Sequence, residues 1–287
     1  MMRYLFVLLA FYGSLYAKYD LSITAIFQNE GPYLKEWIEF HKVVGVQHFY
    51  LFNNLSTDSY KEVLAPYIKN GEVELFEVPI KTYSGPQFYK LQKEVYLKAI
   101  AISKNKTRWL AIIDLDEFLF PVKENSLVKL LDNKYKPYSA IRVNWQIYGT
   151  SNVPFIPPGN LMIEKLTMKA AQHKKNNAWK SIVRPKHVVR AGIHSCTLKP
   201  GFLQVNANGD VVQPRSKTGC HVNDIRINHY ITRDEAYYNK VKLPRLEKRN
   251  KNLSKESLIE KKNRLSTEYD PAILKFVPAL KKRMDLN

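Results

Sequence analysis

Apolar, β-branched runs alternate with segments of helical spacing through the first half of the chain, and this alternation constrains the fold most strongly. Runs such as Leu21–Phe27 and Trp109–Ile113 are almost continuously apolar, so both faces of each predicted strand must be buried. Between them, Tyr33–Val44 and Gln87–Lys104 have the spacing of amphipathic helices. Strands and helices in this order predict an α/β fold with a mainly parallel sheet flanked by helices. Further strands are predicted at 46–52, 73–78 and 141–148, and a further helix at 59–69.

The sequence pattern changes after residue 139. Loop-rich sequence at 151–186 and short strands around 181–183, 188–193 and 202–205 predict a smaller, acceptor-side region. From Lys240 to Arg264 basic residues greatly outnumber acids, which is typical of a charged helical or disordered segment. We therefore expect one main domain over residues 18–240 and a basic C-terminal tail over 241–287.

The N-terminus has the pattern of a targeting segment. Arg3 precedes an apolar stretch that runs from Tyr4 to Ala17 and is short for a comfortable bilayer span. A signal peptide or uncleaved membrane anchor over residues 1–17 is predicted, the alternative being a buried strand or helix. Membrane association follows from this prediction, with the cytosolic face and the secretory lumen both left open.

Three carboxylates follow the apolar strand abruptly, in the segment Ile113-Asp114-Leu115-Asp116-Glu117-Phe118. Ligands bind at this end of the strands in open α/β sheets. On an extended chain, Asp114 and Asp116 would point the same way, and their repulsion calls for a cation. Carboxylate oxygens suit Mn²⁺ or Mg²⁺, which also bind a diphosphate.

Phosphatases of the haloacid dehalogenase type also place Asp-x-Asp after a strand, but the bulk of Phe118 argues against that chemistry.

These residues and several others together resemble a known family. The segments are Asn29–His41 with Gly45, Ile113–Phe118, Trp145-x-x-Tyr148-Gly149, Lys180–Pro185, His194 and Ile227–Tyr230. In this order, over about residues 21 to 240, they are similar to glycosyltransferase family 92 and its family-2-like relatives. The resemblance implies a GT-A fold, a UDP- or GDP-sugar donor, a glycan or glycolipid acceptor, and transfer assisted by Mn²⁺ or Mg²⁺, with inversion at the sugar.

The resemblance also implies site residues. Metal ligands are expected at Asp114, Asp116 and His229, with Asp116 the direct contact and Asp114 on the ribose or behind the metal. Substrate contacts are expected at Asn29, Glu30, Asn53, Asp58, Trp145, Lys180, Arg184 and His194. Here Lys180 and Arg184 would neutralise the departing diphosphate, and Trp145 would stack on a sugar. An inverting reaction needs a base; the candidates are Glu117, Asp224, Asp234 and Glu235.

Two other classes of function are considered, and the charge balance bears on the first. With 45 Lys and Arg against 26 Asp and Glu, the chain carries a net charge of +19 and favours anionic partners. A nucleic-acid binder would use this charge and the 18 tyrosines, but no binding motif is recognisable, so nucleic acid is not the expected partner. An inactive sugar-binding relative is the third class. The basic tail also suits docking on an anionic membrane surface.

Overall fold

A computed structural model gives the fold of residues 17–171, 173–213, 216 and 219–286. Of the expected signal or anchor segment, only Ala17 lies within the described residues. Among the helices of this part of the chain, none combines the length and the apolar character needed to cross a bilayer.

Strands and helices alternate through the first half of the chain, as the sequence predicts. The strands are β1 (Tyr19–Phe27), β2 (His48–Asn53), β3 (Val73–Glu77), β4 (Thr107–Ile112), β5 (Glu117–Pro121), β6 (Ala140–Ile147), β7 (Met168–Lys169), β8 (Trp179–Val183), β9 (Val188–Ala191), β10 (Cys196–Leu198), β11 (Gln204–Asn206), β12 (Ile225–His229) and β13 (Glu268–Tyr269). The α-helices are α1 (Gly31–Val43), α2 (Tyr60–Lys69), α3 (Gly85–Ser103), α4 (Leu127–Asn133), α5 (Met162–Lys165), α6 (Glu235–Tyr237), α7 (Leu243–Arg249), α8 (Lys255–Asn263) and α9 (Val277–Met284). A π-helical turn, Tyr238–Lys242, joins α6 to α7.

One mixed sheet organises the molecule, with the strand order β3-β2-β1-β4-β8-β6-β12-β5 and with β11 beside β6. Pairing is parallel from β3 to β4 and between β6 and its neighbours β11 and β12. It is antiparallel where β8 joins β4 and β6, and where β5 joins β12. The predicted α/β class with a mainly parallel sheet is confirmed.

Helices cover both faces of this sheet. On one face, Trp37 of α1 and Leu64 of α2 join the larger apolar cluster, which also contains Leu280 of α9. On the other face, Leu91 and Val95 of α3 pack in a second cluster. Residues expected in a basic tail thus contribute to the main core.

The strand β12 was not predicted. It is fully buried although Arg226, Asn228 and His229 interrupt its apolar residues. Arg226 is accommodated because its guanidinium donates to Asp270 at 2.8 Å and lies over the Phe120 ring. A buried strand that contains a paired charged residue lacks the continuous apolar run by which buried strands are recognised in a sequence.

The strand directions bring the ends of many strands to one edge of the sheet. Strands β1, β2, β4, β6 and β12 end at this edge, whereas β5 and β8 begin there. Side chains that are far apart in sequence can therefore meet at this edge, which we call the ligand edge.

The buried Glu36 of α1 makes stability depend on pH. Its carboxylate accepts the backbone N–H groups of Met162 at 2.9 Å and Ile163 at 3.0 Å, and burial raises its pKa to about 7. The folded state then holds a proton that the unfolded state has released between about pH 4.5 and 7, so stability falls as pH rises through this window.

We predict that the free energy of unfolding of the wild type falls relative to Glu36→Gln between pH 5 and 7.5, by at most about 3 kcal/mol. Urea unfolding at both pH values measures the difference. The exposed Glu62→Gln in α2 is the matched control and should leave the pH dependence unchanged. Parallel curves for wild type and Glu36→Gln would contradict the prediction.

Candidate functional site

The chain turns sharply at the first carboxylates of the ligand edge. The Glu117 backbone N–H donates to the Asp114 carbonyl at 3.2 Å, and the Glu117 side chain accepts the Asp114 N–H at 3.0 Å. Our expectation of an extended chain with Asp114 and Asp116 pointing the same way is therefore wrong. This turn links β4 to β5 and gives the two aspartates different partners.

Asp114 is bound to a lysine. The Lys180 Nζ, from the second residue of β8, lies 2.7 Å from Asp114 Oδ2 and 3.8 Å from Glu117 Oε1. The Tyr96 hydroxyl, at 3.1 Å, and the Gln92 amide, at 3.4 Å, donate to the other Asp114 oxygen. Lys180 is 1% exposed and Glu117 is fully buried. The sequence led us to expect a divalent cation beside Asp114 and Asp116, but the cation beside Asp114 is Lys180 of the chain itself.

The charges in this group support one another. Burial favours the neutral form of Lys180, but the negative charges of Asp114 and Glu117 have the larger effect and raise the pKa of the lysine. Burial also raises the pKa of Glu117, against the attraction of Lys180. The single charge of Lys180 is therefore used mainly by Asp114, the closer carboxylate, while the raised pKa of the buried Glu117 favours its protonated form.

Asp116 faces His229 instead. His229 ends β12 directly opposite Glu117, and its Nε2 lies 3.3 Å from Asp116 Oδ2. The Tyr230 N–H donates to the Asp116 carbonyl at 2.8 Å, which fixes the turn against the end of β12. The Asp116 side chain is about one quarter exposed and that of His229 is 9% exposed, so solvent reaches this pair mainly through the carboxylate. The Trp145 ring packs against the His229 ring, with 4.6 Å between centroids.

Cationic neighbours keep Asp116 ionised. Burial alone would raise its pKa, but the nearby His229, Lys242 and Arg233 hold the pKa well below its usual range. An ionised carboxylate beside an imidazole is the state in which both groups can bind a metal.

Arg233 was missed by the sequence reasoning. It forms a close ion pair with Glu30, and its guanidinium lies 3.6 Å from the Tyr33 ring centroid and 4.6 Å from that of Tyr237. Its φ of +53° is in the left-handed region, which arginine rarely adopts. Within the described part of the chain, its buried Nε and Nη1 have no hydrogen-bond partner. One arginine among many carries no sequence signal for this role.

The residues predicted after β1 and β2 join the two strand ends. Asn29 Oδ1 accepts the Thr57 N–H at 2.8 Å, and Asp58 Oδ2 accepts the Gly31 N–H at 2.7 Å. Asn53 is buried, and its amide donates to Glu77 at 2.6 Å. These side chains thus shape the loops at the ligand edge through contacts within the protein.

His194 and Trp145 lie on the other side of the cluster. The His194 ring is 5.3 Å from that of Trp145, and its Nδ1 is 3.1 Å from the Trp179 carbonyl. Trp145 is only 7% exposed, and most of its ring is covered by the two histidines and the sheet.

Two predicted residues lie at the opposite edge of the sheet. Asp224 precedes β12 and pairs with Lys123 at 2.9 Å and with Lys134. Arg184 follows β8, stacks 4.2 Å from the Trp109 ring centroid and donates to backbone carbonyls. Neither is brought to the ligand edge, because each lies at the end of its strand remote from it.

The other two base candidates are engaged in local structure. Asp234 accepts the Tyr237 N–H at 2.8 Å and the Ile156 N–H at 3.0 Å, which caps α6. Glu235 pairs with Lys262 at 2.6 Å and accepts the Thr150 hydroxyl. Among the residues described, no group of three or more His, Cys, Asp or Glu side chains surrounds one point as a metal site would.

The sequence of this chain matches a family model over nearly its whole described length. The model of glycosyltransferase family 92 matches residues 21–270. The chain belongs to glycosyltransferase family 92. The resemblance seen in the sequence is confirmed, and with the sheet described above it confirms the expected GT-A class of α/β fold.

Over the aligned residues, curated relatives are about one quarter identical to this family 92 chain. A family 92 protein of Ricinus communis is 26% identical over 202 residues, which cover 66% of this chain and 33% of the relative. One of Arabidopsis thaliana is 25% identical over 200 residues, covering 64% of this chain and 32% of the relative. The chain thus spans about a third of the length of these relatives.

Solved structures show a weaker likeness. S. aureus TarS in complex with UDP-GlcNAc is 12% identical, with a TM-score of 0.38, over 58% of this chain and 45% of that one. Glucosyl-3-phosphoglycerate synthase from Mycobacterium tuberculosis, in complex with Mn²⁺, UDP and glucosyl-3-phosphoglycerate, is 11% identical, with a TM-score of 0.31, over 58% of this chain and 57% of that one.

We predict that Lys180→Met destabilises the fold by about 3 to 5 kcal/mol, because it removes the buried cation that lies between Asp114 and Glu117. Urea unfolding measures the loss. Lys186→Met, at an exposed position just beyond the same strand, should change stability by no more than about 0.5 kcal/mol. The double variant Lys180→Met/Glu117→Gln should recover part of the loss. A change below about 1 kcal/mol for Lys180→Met would contradict this role.

Proposed function

We propose that this chain transfers a sugar from a UDP- or GDP-sugar donor to a hydroxyl group of a glycan or lipid-linked acceptor. The observation that carries the proposal is the solvent-accessible Asp116–His229 pair at the ligand edge of a family 92 chain. This edge is where α/β sheets bind nucleotides. The Asp114–Lys180–Glu117 group adjoins the pair, because Asp114 and Glu117 flank Asp116 in the β4–β5 turn.

The pair fits a divalent metal ion. Two neighbouring ligands of an octahedral site, with bonds of about 2.1 Å, are about 3.0 Å apart, and Asp116 Oδ2 and His229 Nε2 are 3.3 Å apart. A carboxylate and an imidazole suit Mn²⁺, or Mg²⁺ with the carboxylate dominant. Asp114 does not fit as a direct ligand, because Lys180 occupies it. With two protein ligands, diphosphate oxygens and water would complete the coordination.

This ligand count predicts how metal and nucleotide bind. A bound metal ion would act as a Lewis acid toward the diphosphate. Since the protein supplies only two ligands, metal alone should bind weakly and nucleotide alone should lack much of its diphosphate contact. Metal and nucleotide should therefore each raise the affinity of the protein for the other.

The remaining edge residues suit the nucleoside and the sugar. Glu30 and Asn53, near the ends of β1 and β2, border the place where a base and ribose would lie, and the Asp114 side chain is about one third exposed and can accept a ribose hydroxyl there. Trp145 offers the sugar an apolar border. Charge developing on the leaving diphosphate would be met by the cations near Asp116, which need no reorganisation.

Inversion at the sugar is part of the proposal, and it requires a base for the acceptor hydroxyl. All four candidates are engaged: Glu117 is buried, Asp224 is at the far edge, and Asp234 and Glu235 hold local structure. We therefore assign no base. The anomeric configuration of the first product, read by proton NMR, tests inversion directly.

We predict that Asp116→Asn and His229→Ala each reduce metal-dependent donor turnover at least 100-fold with the fold intact, because each removes a metal ligand. A panel of UDP- and GDP-sugars assayed with and without Mn²⁺ measures this loss, and calorimetry measures nucleotide binding in parallel. Asp224→Asn, at the opposite edge, is the matched control and should keep full turnover. Unchanged turnover in Asp116→Asn would refute the assigned site.

The same assays separate the other two classes. A nucleic-acid binder would lose affinity steeply as salt rises and would not need Mn²⁺. An inactive sugar-binding relative would bind the donor without hydrolysing or transferring it. Metal-dependent turnover excludes both.

We also propose that the protein works at a membrane, with its N-terminal segment as signal or anchor. The exposed basic side chains of the α7–α8 region support docking on anionic lipid: Lys248, Arg249, Lys251, Lys255, Lys261 and Arg264. Sedimentation with phosphatidylserine vesicles, but not with phosphatidylcholine vesicles, would support this docking. Equal sedimentation with both would refute it.

A further inference from the structure

A lysine without a partner lies beside the Asp116–His229 pair. Lys242 is half-buried, and it forms no hydrogen bond or ion pair with the residues that the structure describes. It is close enough to Asp116, Arg233 and Arg245 for their charges to affect its pKa. Burial lowers the pKa of Lys242, and of these three neighbours only Asp116 raises it.

The segment that carries Lys242 is anchored on both sides. On one side, Arg233 is held by Glu30 and by two tyrosine rings. On the other side, the buried Tyr238 donates its hydroxyl to the Leu258 carbonyl at 3.0 Å. Lys242 is therefore held near Asp116 by neighbouring structure, in contrast to a lysine on a free surface.

A local irregularity sets its position. The helical run from Glu235 to Arg249 contains Pro244, whose ring lacks an N–H and would clash with the carbonyl four residues earlier. The run widens into the π-helical turn Tyr238–Lys242 just before this proline. Such turns are frequent at functional sites.

Among the described residues, two cations near Asp116 have no ion-pair partner: the exposed Arg245 and the half-buried Lys242. Arg233 is paired with Glu30, and the single charge of Asp116 faces both His229 and Lys242. A half-buried ammonium group loses hydration and gains no counter-ion, which is unfavourable unless a ligand brings negative charge. The donor that we propose for this site brings two phosphates to the same place.

We infer that Lys242 binds the diphosphate of the nucleotide donor and carries part of its charge when the sugar bond breaks. This inference rests on the proposed function and adds a residue from the C-terminal segment to its site. Lys242 approaches from the side of α6 and α7, whereas Lys180 lies within the sheet and is used by Asp114 and Glu117. One lysine therefore holds the protein charges together, and the other meets the ligand.

A ligand series tests this inference. Calorimetry with Mn²⁺ present compares uridine, UMP and UDP, and the guanosine series, on the wild type, Lys242→Met and Lys242→Arg. Lys242→Met should weaken the diphosphate about tenfold or more and leave the nucleoside unchanged, whereas Lys242→Arg should retain most of the affinity. Lys240→Met, exposed in the same turn, is the matched control and should bind like the wild type.

The outcomes separate this inference from the proposed function. If the wild type binds neither UDP nor GDP, the proposed function fails and this inference fails with it. If wild type and Lys242→Met bind the diphosphate equally, or lose nucleoside and diphosphate alike, only the role of Lys242 is overturned. A loss confined to the acceptor's KM would also overturn it.

A second measurement is made on the wild type and needs a conservative variant only to assign one resonance. Reductive methylation with ¹³C-formaldehyde labels the lysines of the wild type, and the Lys242 resonance is assigned with Lys242→Arg. UDP with Mn²⁺ should shift this resonance, and uridine with Mn²⁺ should not. A resonance that UDP leaves in place would contradict the inference.

Discussion

The contact of Lys180 with Asp114 and Glu117 is the interaction on which the rest of the site depends. Two carboxylates next to a third, at the buried end of a sheet, repel one another and lose hydration. Lys180 lies 2.7 Å from Asp114 and 3.8 Å from Glu117, and it is itself almost fully buried. Because Lys180 pairs with Asp114 and Glu117 is buried, Asp116 is the carboxylate of the three that is left to face His229. An ionic group within the protein thus determines which carboxylate is offered to a ligand.

This arrangement divides the site between the sheet and the C-terminal part of the chain. The sheet supplies Asp116 from the β4–β5 turn and His229 from the end of β12. The segment after β12 supplies Arg233 and Lys242, and α9 packs that end of the chain onto the same core through Leu280. Arg233 is fixed by its ion pair with Glu30, and Lys242 follows Tyr238, whose hydroxyl is bound to the Leu258 carbonyl. A binding site built from fixed charges stabilises a departing anion without having to rearrange.

Much of the fold could be predicted from the sequence. Continuous apolar runs identified β1 and β4, and helical spacing identified α1 and α3, because burial on both faces of a parallel sheet leaves a plain apolar pattern. The same reasoning failed for β12, where Arg226 is compensated by Asp270, a partner 44 positions away. The position of Asp114 and Asp116 after β4 was readable, but the turn that separates their roles depends on hydrogen bonds of Glu117.

The sequence indicated site residues only where their residue types are rare or clustered. Clustered acids and the motif around His229 indicated the ligand edge, whereas Arg184 and Asp224 were included although their strands carry them to the opposite edge. Strand direction, which decides this, is a property of the whole sheet. Arg233 and Lys242 were missed because a chain with 45 basic residues gives no local signal for any one of them. Their roles follow from the burial and pairing of each side chain.

The most direct test of this account is a crystal structure of the protein with Mn²⁺ and UDP. The account predicts the metal ion within about 2.4 Å of both Asp116 and His229, with Lys180 still bound to Asp114. A metal ion held by Asp114 with Lys180 displaced, or nucleotide bound away from this edge, would contradict it.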